Sequence, residues 1–371
     1  MLQGQDLLSS NSSNSSNSSC NTGNITIIGS GNYSIAIRPV ITNVTHEYLE
    51  YIDQCTTDVT KIFKLGNDED FEKELDILFK LKQIQDYASF TVSIKGASKF
   101  KVSTLPYDHD IMTNLNILYS NKENYDKYLY QIIFGYGGIP LNKLNNQITF
   151  IQFISIMRNF CIGMQKLQEN NIVHRDIKPT NVLFYNNKLN LIDFGLACNI
   201  NDVYANTDDN KYVLAYMYMY HPPEFYIAYL LYETKHKNED SDFQSILDKA
   251  FEKMMSYTQE LNTYYDEHYY KYHKMEPYDI FSYRKGFAEF YHDIVSKNVQ
   301  TIEEIFISEL AFKADIFGIS YILKELKKHI VFDNIFQKQI YYNLYDMMHC
   351  LNPYRRASIS EIITYIESVY V

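Results

Sequence analysis

Six polar side chains are gathered in one short part of this chain. His174, Arg175, Asp176, Lys178 and Asn181 lie between the apolar runs Ile172-Val173 and Val182-Leu183-Phe184, and Asp193 follows a further apolar stretch that begins at Leu189. Polar residues at fixed spacing between short buried strands describe a loop that carries chemistry. Asp176 can orient a hydroxyl nucleophile. Asn181 and Asp193 are hard oxygen ligands of the kind Mg²⁺ takes. Lys178 offers a compact positive charge to a moving phosphoryl group. Phosphoryl transfer is mostly positioning plus charge neutralisation, and it needs these parts.

The run His174-Arg175-Asp176-Ile177-Lys178-Pro179-Thr180-Asn181, followed by Asp193-Phe194-Gly195, resembles the eukaryotic-type serine/threonine protein kinase family. The resemblance implies an α+β, bilobal fold with a β-rich small lobe and a mainly helical large lobe. It implies ATP and Mg²⁺ as cofactors and a protein as substrate. Asp176 and Lys178 become the catalytic residues, and Asn181 and Asp193 the metal ligands. An ordinary aspartate, with a pKa of about 3.9, is a weak base, so Asp176 takes the hydroxyl proton late. Lys178 followed by Pro179 matches serine/threonine enzymes. Scaffold roles fall to His174, Arg175, Glu224, Asp315 and Arg356. Asp315, in Asp315-Ile316-Phe317-Gly318, is expected to accept main-chain N–H groups of the catalytic loop. Arg356, in Asn352-Pro353-Tyr354-Arg355-Arg356, is expected to pair with Glu224. Two alternatives stay open: a pseudokinase that only binds partners, and a small-molecule kinase on a related fold.

Other elements must position this loop. Residues 1–23 are Ser/Asn-rich with little to bury, and are expected to be a disordered tail. The small lobe is expected over 24–134 and the large lobe over 135–371. Two β-like runs flank Gly29, Ser30 and Gly31, and Ala36 lies in the second. The two glycines let backbone N–H groups approach phosphate. The family's third glycine and its valine are replaced by Ser34 and Ala36. Lys61 in the strand Asp58–Phe63 is expected to pair with Glu74 on a helix with apolar spacing from Phe71 to Leu81; Lys64 is the rival. Residues 87–125 are expected to hold two strands and loops. Tyr128–Phe134 reads as a strand; with the glycines after it, it resembles the family's strand and hinge, which implies Phe134 behind the adenine pocket and Gly135, Tyr136 and Gly137 at the adenine edge, a plain turn being the alternative. Ile148–Glu169 reads as an amphipathic helix. Insertions are expected at 39–56 and, helical, at 232–310. His268, His273, Asp266 and Glu267 in the latter show no ligand spacing and read as a solvated face.

A net charge of −11 and the lack of any basic run argue against nucleic acid and anionic membranes as partners. The five cysteines are scattered with no Cys-x-x-Cys pair, which suits a reducing compartment. No signal peptide or long apolar run is seen, so a cytoplasmic location is expected. The wealth of Tyr, Ile, Asn and Lys with no Trp fits an AT-rich genome such as that of a giant DNA virus. The pattern carries no information on oligomeric state. Between Gly195 and Met217 the one Ser or Thr is Thr207. Its phosphate could face Arg175, or Asp208 and Asp209 could supply the anion instead. Met217 stands where the family usually places a threonine.

Overall fold

The computed structural model describes residues 25–40, 57–105, 108–117, 122–200, 222, 224–225, 242–263, 277–299 and 310–369. The expected tail over 1–23, most of the 39–56 insertion, Thr207, Met217, and the 266–273 group lie outside the described residues.

Alternating apolar residues in the first part of the chain form an antiparallel sheet: β1 (Thr26–Ser30), β2 (Ser34–Arg38), β3 (Val59–Phe63), β4 (Ile94–Lys101) and β5 (Tyr128–Phe134), in the order β1-β2-β3-β5-β4. Lys61 sits mid-sheet, opposite Ala36 on one side and Ile132 on the other. Successive strand side chains point to opposite faces, so Lys61 and Phe63 share one face and Ile62 takes the other. Helix α1 (Asp68–Lys82) packs on the first face, burying Phe71, Leu75, Leu78 and Leu81 against Phe63, Ala97 and Ile132. Its first turn is acidic (Asp68, Glu69, Asp70) and its last basic (Lys80, Lys82), as the helix dipole favours.

The opposite face carries Ile35, Ile37, Ile62, Phe100 and Leu129, covered by Ile111, Met112 and Leu115. The cover comes from α2 (His109–Asn114) and the turn after it. Here the expectation of two strands within 87–125 is corrected. Among the described residues that stretch holds β4 and a helix. The carboxylate of Asp108 accepts the N–H groups of Asp110 and Ile111, which starts a helix and lays Ile111 and Met112 on the sheet.

The remainder is mainly helical, as the α+β expectation required. It contains β6 (Ile139–Pro140), β7 (Ile148–Thr149), α3 (Phe150–Glu169), β8 (Ile172–Val173), β9 (Val182–Tyr185), β10 (Lys188–Leu191), β11 (Cys198–Asn199), α4 (Phe243–Thr263), α5 (Pro277–Ser296), α6 (Leu310–Leu326), β12 (Ile330–Val331), α7 (Ile335–His349) and α8 (Ile359–Val369). Helix α3 starts two residues later than its apolar spacing suggests. Thr149 caps it: its hydroxyl accepts the Gln152 N–H at 3.2 Å while the Gln152 side chain accepts the Thr149 N–H at 2.8 Å. Ile148-Thr149 instead pairs in parallel with Ile330-Val331. The apolar spacings at 243–251 and 287–294 do form helices, α4 and α5. Helix α5 is tied to the 352–355 segment by Asn352 Nδ2–Asp293 Oδ2 (2.6 Å) and Arg355 Nη1–Glu289 Oε2 (3.1 Å). No helix among the described residues is long and apolar enough to cross a membrane.

A histidine at the end of α7 makes stability pH-dependent. His349 stacks between Phe317 and Tyr345, each with ring centroids at 4.8 Å, and its Nδ1 lies 2.8 Å from Ser320 Oγ. Burial, aided by the Arg356 charge, holds it neutral, with its pKa pulled down to about 3. The unfolded chain takes up this proton near pH 6.5 and the folded one refuses it, so stability falls as pH drops below about 6.5. The expected loss is about 2 kcal/mol between pH 6.5 and 5 from this group. Asp315 acts oppositely in that window, because burial raises its pKa to about 7. The histidine is therefore isolated by difference. Urea unfolding of His349→Gln should lose about 2 kcal/mol less than wild type on acidification from pH 6.5 to 5. Equal losses in the two proteins would refute the assignment.

Candidate active site

The polar loop runs from β8 to β9, and a buried carboxylate holds its main chain. The N–H groups of His174 and Arg175 donate to the two oxygens of Asp315, in α6, at 2.7 and 2.8 Å. The backbone there is forced: Arg175 has φ +65°, a left-handed conformation. The two charge-assisted bonds offset part of the cost of keeping Asp315 buried. The His174 ring is fully buried. Its Nδ1 accepts the Asp176 N–H (3.3 Å), which leaves Nε2–H to donate to Ile192 O (3.1 Å). Burial pulls its pKa down, so the neutral form serves here, edge-on to Phe194.

Asp176 is locked by its neighbours. Its Oδ2 accepts from Lys178 Nζ and from Asn181 Nδ2, both at 2.8 Å, and Asn181 Nδ2 also donates to Asp176 O at 3.0 Å. With its amide nitrogen so used, the oxygen left to Asn181 is Oδ1. A second cluster lies beside the first. Lys61 Nζ reaches Glu74 Oε1 and Oε2 at 2.8 and 2.6 Å and Asp193 Oδ1 at 2.8 Å. Burial works against the Lys61 ammonium, but the Glu74 and Asp193 carboxylates outweigh it and the net direction is up. Glu74 is raised by its own burial, against the pull of Lys61. Asp193 is held low, chiefly by Lys61, although nearly half its side chain is exposed. Asp193 has φ +65° and opens the tight turn Phe194–Leu196. Arg175 Nε donates to Leu196 O at 2.6 Å, which ties that turn to the catalytic loop. Lys64, the rival for the Lys61 place, lies just past β3, its N–H donating to Tyr33 O.

Away from these clusters, Arg356 and Glu224 form a bidentate, fully buried ion pair through Nη1–Oε1 and Nη2–Oε2. Arg356 is further fixed by Lys313 O (2.7 Å) and Cys350 O (2.8 Å).

The β1–β2 hairpin brings Gly29 opposite Ala36, and Gly31 N–H closes the turn on Ser34 O at 2.9 Å. A Cβ on Gly29 or Gly31 would meet nothing nearer than 3.7 or 3.8 Å. Packing within the chain therefore does not demand glycine at either place. The Ser30 hydroxyl is turned to Asn114 Oδ1 (3.0 Å), and its main chain pairs opposite Ile35. Phe134 ends β5 opposite Val59, against the main core. Gly135 N–H already donates to Ser93 O, and Gly137 O already accepts from Asn190 Nδ2, both at 2.9 Å. The expectation that the whole Gly135–Gly137 main chain serves the adenine edge is narrowed by those two bonds. The Tyr136 ring lies under the Arg38 guanidinium (4.8 Å) and against Tyr185 (5.5 Å). Ser93, Asn190, Arg38 and Tyr185 did not stand out in the sequence. A lone asparagine inside the apolar run Leu189–Ile192 was the one signal.

Comparison with known proteins bears on the family of the chain. A family model for the protein kinase domain matches residues 116–365, more than half of the chain. Lys61 and Glu74 precede that segment, so their placement rests on the sheet and α1. The chain is similar to calcium-dependent protein kinase 3 of Plasmodium yoelii yoelii, 32% identical over 126 residues (30% of this chain, 23% of the relative). It is similar to the serine/threonine-protein kinase CAK1 of Saccharomyces cerevisiae, 33% identical over 104 residues (25% and 28%). A serine/threonine-protein kinase of Drosophila yakuba is 32% identical over 154 residues (37% and 20%). The matches span less than a third of the length of each of these relatives.

Proposed function

The chain belongs to the protein kinase domain family, and from that premise we propose that it transfers the γ-phosphoryl group of ATP to serine or threonine hydroxyls of a protein. The observation that carries the reading is the double cluster: Lys61 bridging Glu74 and Asp193, beside Asp176 held by Lys178 and Asn181. A protein that had given up catalysis has no evident need to keep both.

The residues fit the groups the reaction needs. Gly29 and Gly31 carry no side chain to stand between the hairpin main chain and phosphates, so that main chain can approach them. Lys61 carries a charge that its two carboxylates stabilise, and it is the natural partner of the inner phosphates. Asn181 Oδ1 and the Asp193 carboxylate are two hard oxygens, the ligand type Mg²⁺ takes. Mg²⁺, when bound, neutralises charge on the phosphate oxygens. Asp176 keeps Oδ1 for the incoming hydroxyl, since Oδ2 already takes two donors. It orients that hydroxyl and receives its proton late. Lys178, 2.8 Å from Asp176, neutralises the group in transfer. The serine/threonine preference rests on Lys178-Pro179 and on the names of the relatives.

The test is incubation of the purified chain with labelled ATP, Mg²⁺ and a panel of proteins, followed by phosphoamino-acid analysis. Label on serine or threonine, lost in Asp176→Asn by about a hundredfold or more, is the expected result. ATP binding with no transfer to any protein would replace the enzyme by a binding module; label on tyrosine would overturn the specificity.

A further inference from the structure

The segment joining β5 to β6 is four residues long, Gly135–Gly138, and both of its ends are tied down. Gly135 is held to the sheet by Ser93 O. A Cβ there would lie 2.3 Å from Ser93 Oγ. Gly137 is held to the helical part by Asn190, which lies in β10 opposite Leu183 of β9. A Cβ on Gly137 would lie 2.3 Å from Val92 Cγ1 and 2.7 Å from Leu183 Cδ1. Strand pairing resumes at Ile139 opposite Phe184. Tyr136 is thus the single residue between two pinned glycines.

Asn190 is 2% exposed, and its Oδ1 is buried with no hydrogen-bond partner. A buried orphan carbonyl is destabilising, and an apolar side chain would only trade it for an unpaired Gly137 O. The two effects offset, so the net gain in stability from an asparagine here is small. What the side chain visibly does is fix Gly137 O. Among the described residues, Gly135 C=O and Gly137 N–H have no partner. They are an acceptor and a donor, the pair that suits a purine's amino group and ring nitrogen.

We propose that Asn190 is a positioning residue for the nucleotide base: by pinning Gly137 it sets the spacing of the hinge acceptor and donor. The inference rests on the ATP-dependent reading above. Asn190 touches no reacting atom, so its loss should weaken nucleotide binding and leave the chemical step alone.

The experiment compares wild type with Asn190→Leu and Asn190→Val, neither of which can donate to Gly137 O. Calorimetric titration with Mg²⁺-ADP, steady-state kinetics and thermal melting are read together. In Asn190→Leu the Kd for Mg²⁺-ADP and the KM for ATP should rise about tenfold, the value of one neutral hydrogen bond. The kcat and the KM for the protein substrate should stay within about twofold. The melting temperature should stay near wild type, because the lost orphan oxygen offsets the Gly137 O left without its donor. Asn190→Val is smaller and suits a strand, should show the same rise in Kd, and carries the test if the leucine variant does not fold. Unchanged nucleotide affinity in the folded variants overturns the proposal, as does a fall in kcat with KM unchanged. A wild type that binds no nucleotide overturns the kinase reading itself and this inference with it, and that failure is seen in the wild-type titration alone.

Discussion

Asp193→Asn is expected to abolish phosphoryl transfer, lowering kcat/KM by about a thousandfold or more. Asp193 has two connections in the structure. Its Oδ1 accepts from Lys61, and nearly half of its side chain faces solvent. The Lys61 charge holds its pKa low, so it is an anion throughout the neutral range. Asparagine keeps the shape and an oxygen but loses the charge, and a neutral amide is a poor Mg²⁺ ligand compared with a carboxylate. Lys61 retains Glu74, so the sheet and α1 should stay in register. The variant should melt near wild type and bind ATP in EDTA about as well. It should fail to gain affinity when Mg²⁺ is added. Wild-type turnover would show that the metal ligand lies elsewhere, and so would an equal Mg²⁺ enhancement in both proteins.

Residues whose partners are close in sequence, or set by a pattern, could be read from the chain alone. Lys178 and Asn181 reach Asp176 across two and five positions, within one turn of loop. Strand β5 has the bounds its apolar run suggests, because a Gly-rich segment must break it. The contact of Asp315 with His174 and Arg175 spans 141 and 140 residues, and here only the family resemblance pointed to it. Elements fixed by main-chain partners were not legible. Asn190 reaches a carbonyl 53 residues away, and every residue carries a carbonyl, so no residue type marks the acceptor. Helix α2 is six residues long, too short for a period of 3.6 to show against the strand-like runs around it. Its signal was Asp108 before Ile111-Met112, a cap rather than a period. The start of α3 was lost for a related reason: Ile148 fits the helical spacing, yet Thr149 is the better cap and releases Ile148 to β7.

The Lys61–Glu74 pair should behave as one unit. Lys61→Met is expected to lower kcat/KM by about a hundredfold or more, because a charge preorganised for the phosphates is gone. Glu74→Gln should cost less, since Asp193 still holds the ammonium at 2.8 Å. The double variant should fall within about threefold of Lys61→Met alone, as residues acting through one contact are not additive. Stability gives a second reading of the same pair. Glu74 is 2% exposed, and burial already pushes its pKa up against the pull of Lys61. Without Lys61 the neighbouring Asp193 and Asp70 both push the same way as burial. The folded Lys61→Met protein then holds the Glu74 proton to higher pH than the unfolded chain, whose glutamate titrates near 4.3. A raised carboxyl pKa means stability present at low pH and lost as pH rises through the folded value. Lys61→Met should therefore be more stable at pH 5 than at pH 7, relative to wild type. Adding Glu74→Gln should remove that slope. Urea unfolding at the two pH values checks it, with kinetics on the same four proteins. Full additivity of the activity losses, or a slope that survives in the double variant, would mean that the contact seen between Lys61 and Glu74 is not the one that works. A silent Lys61→Met beside an inactive Lys64→Met would move the role to Lys64.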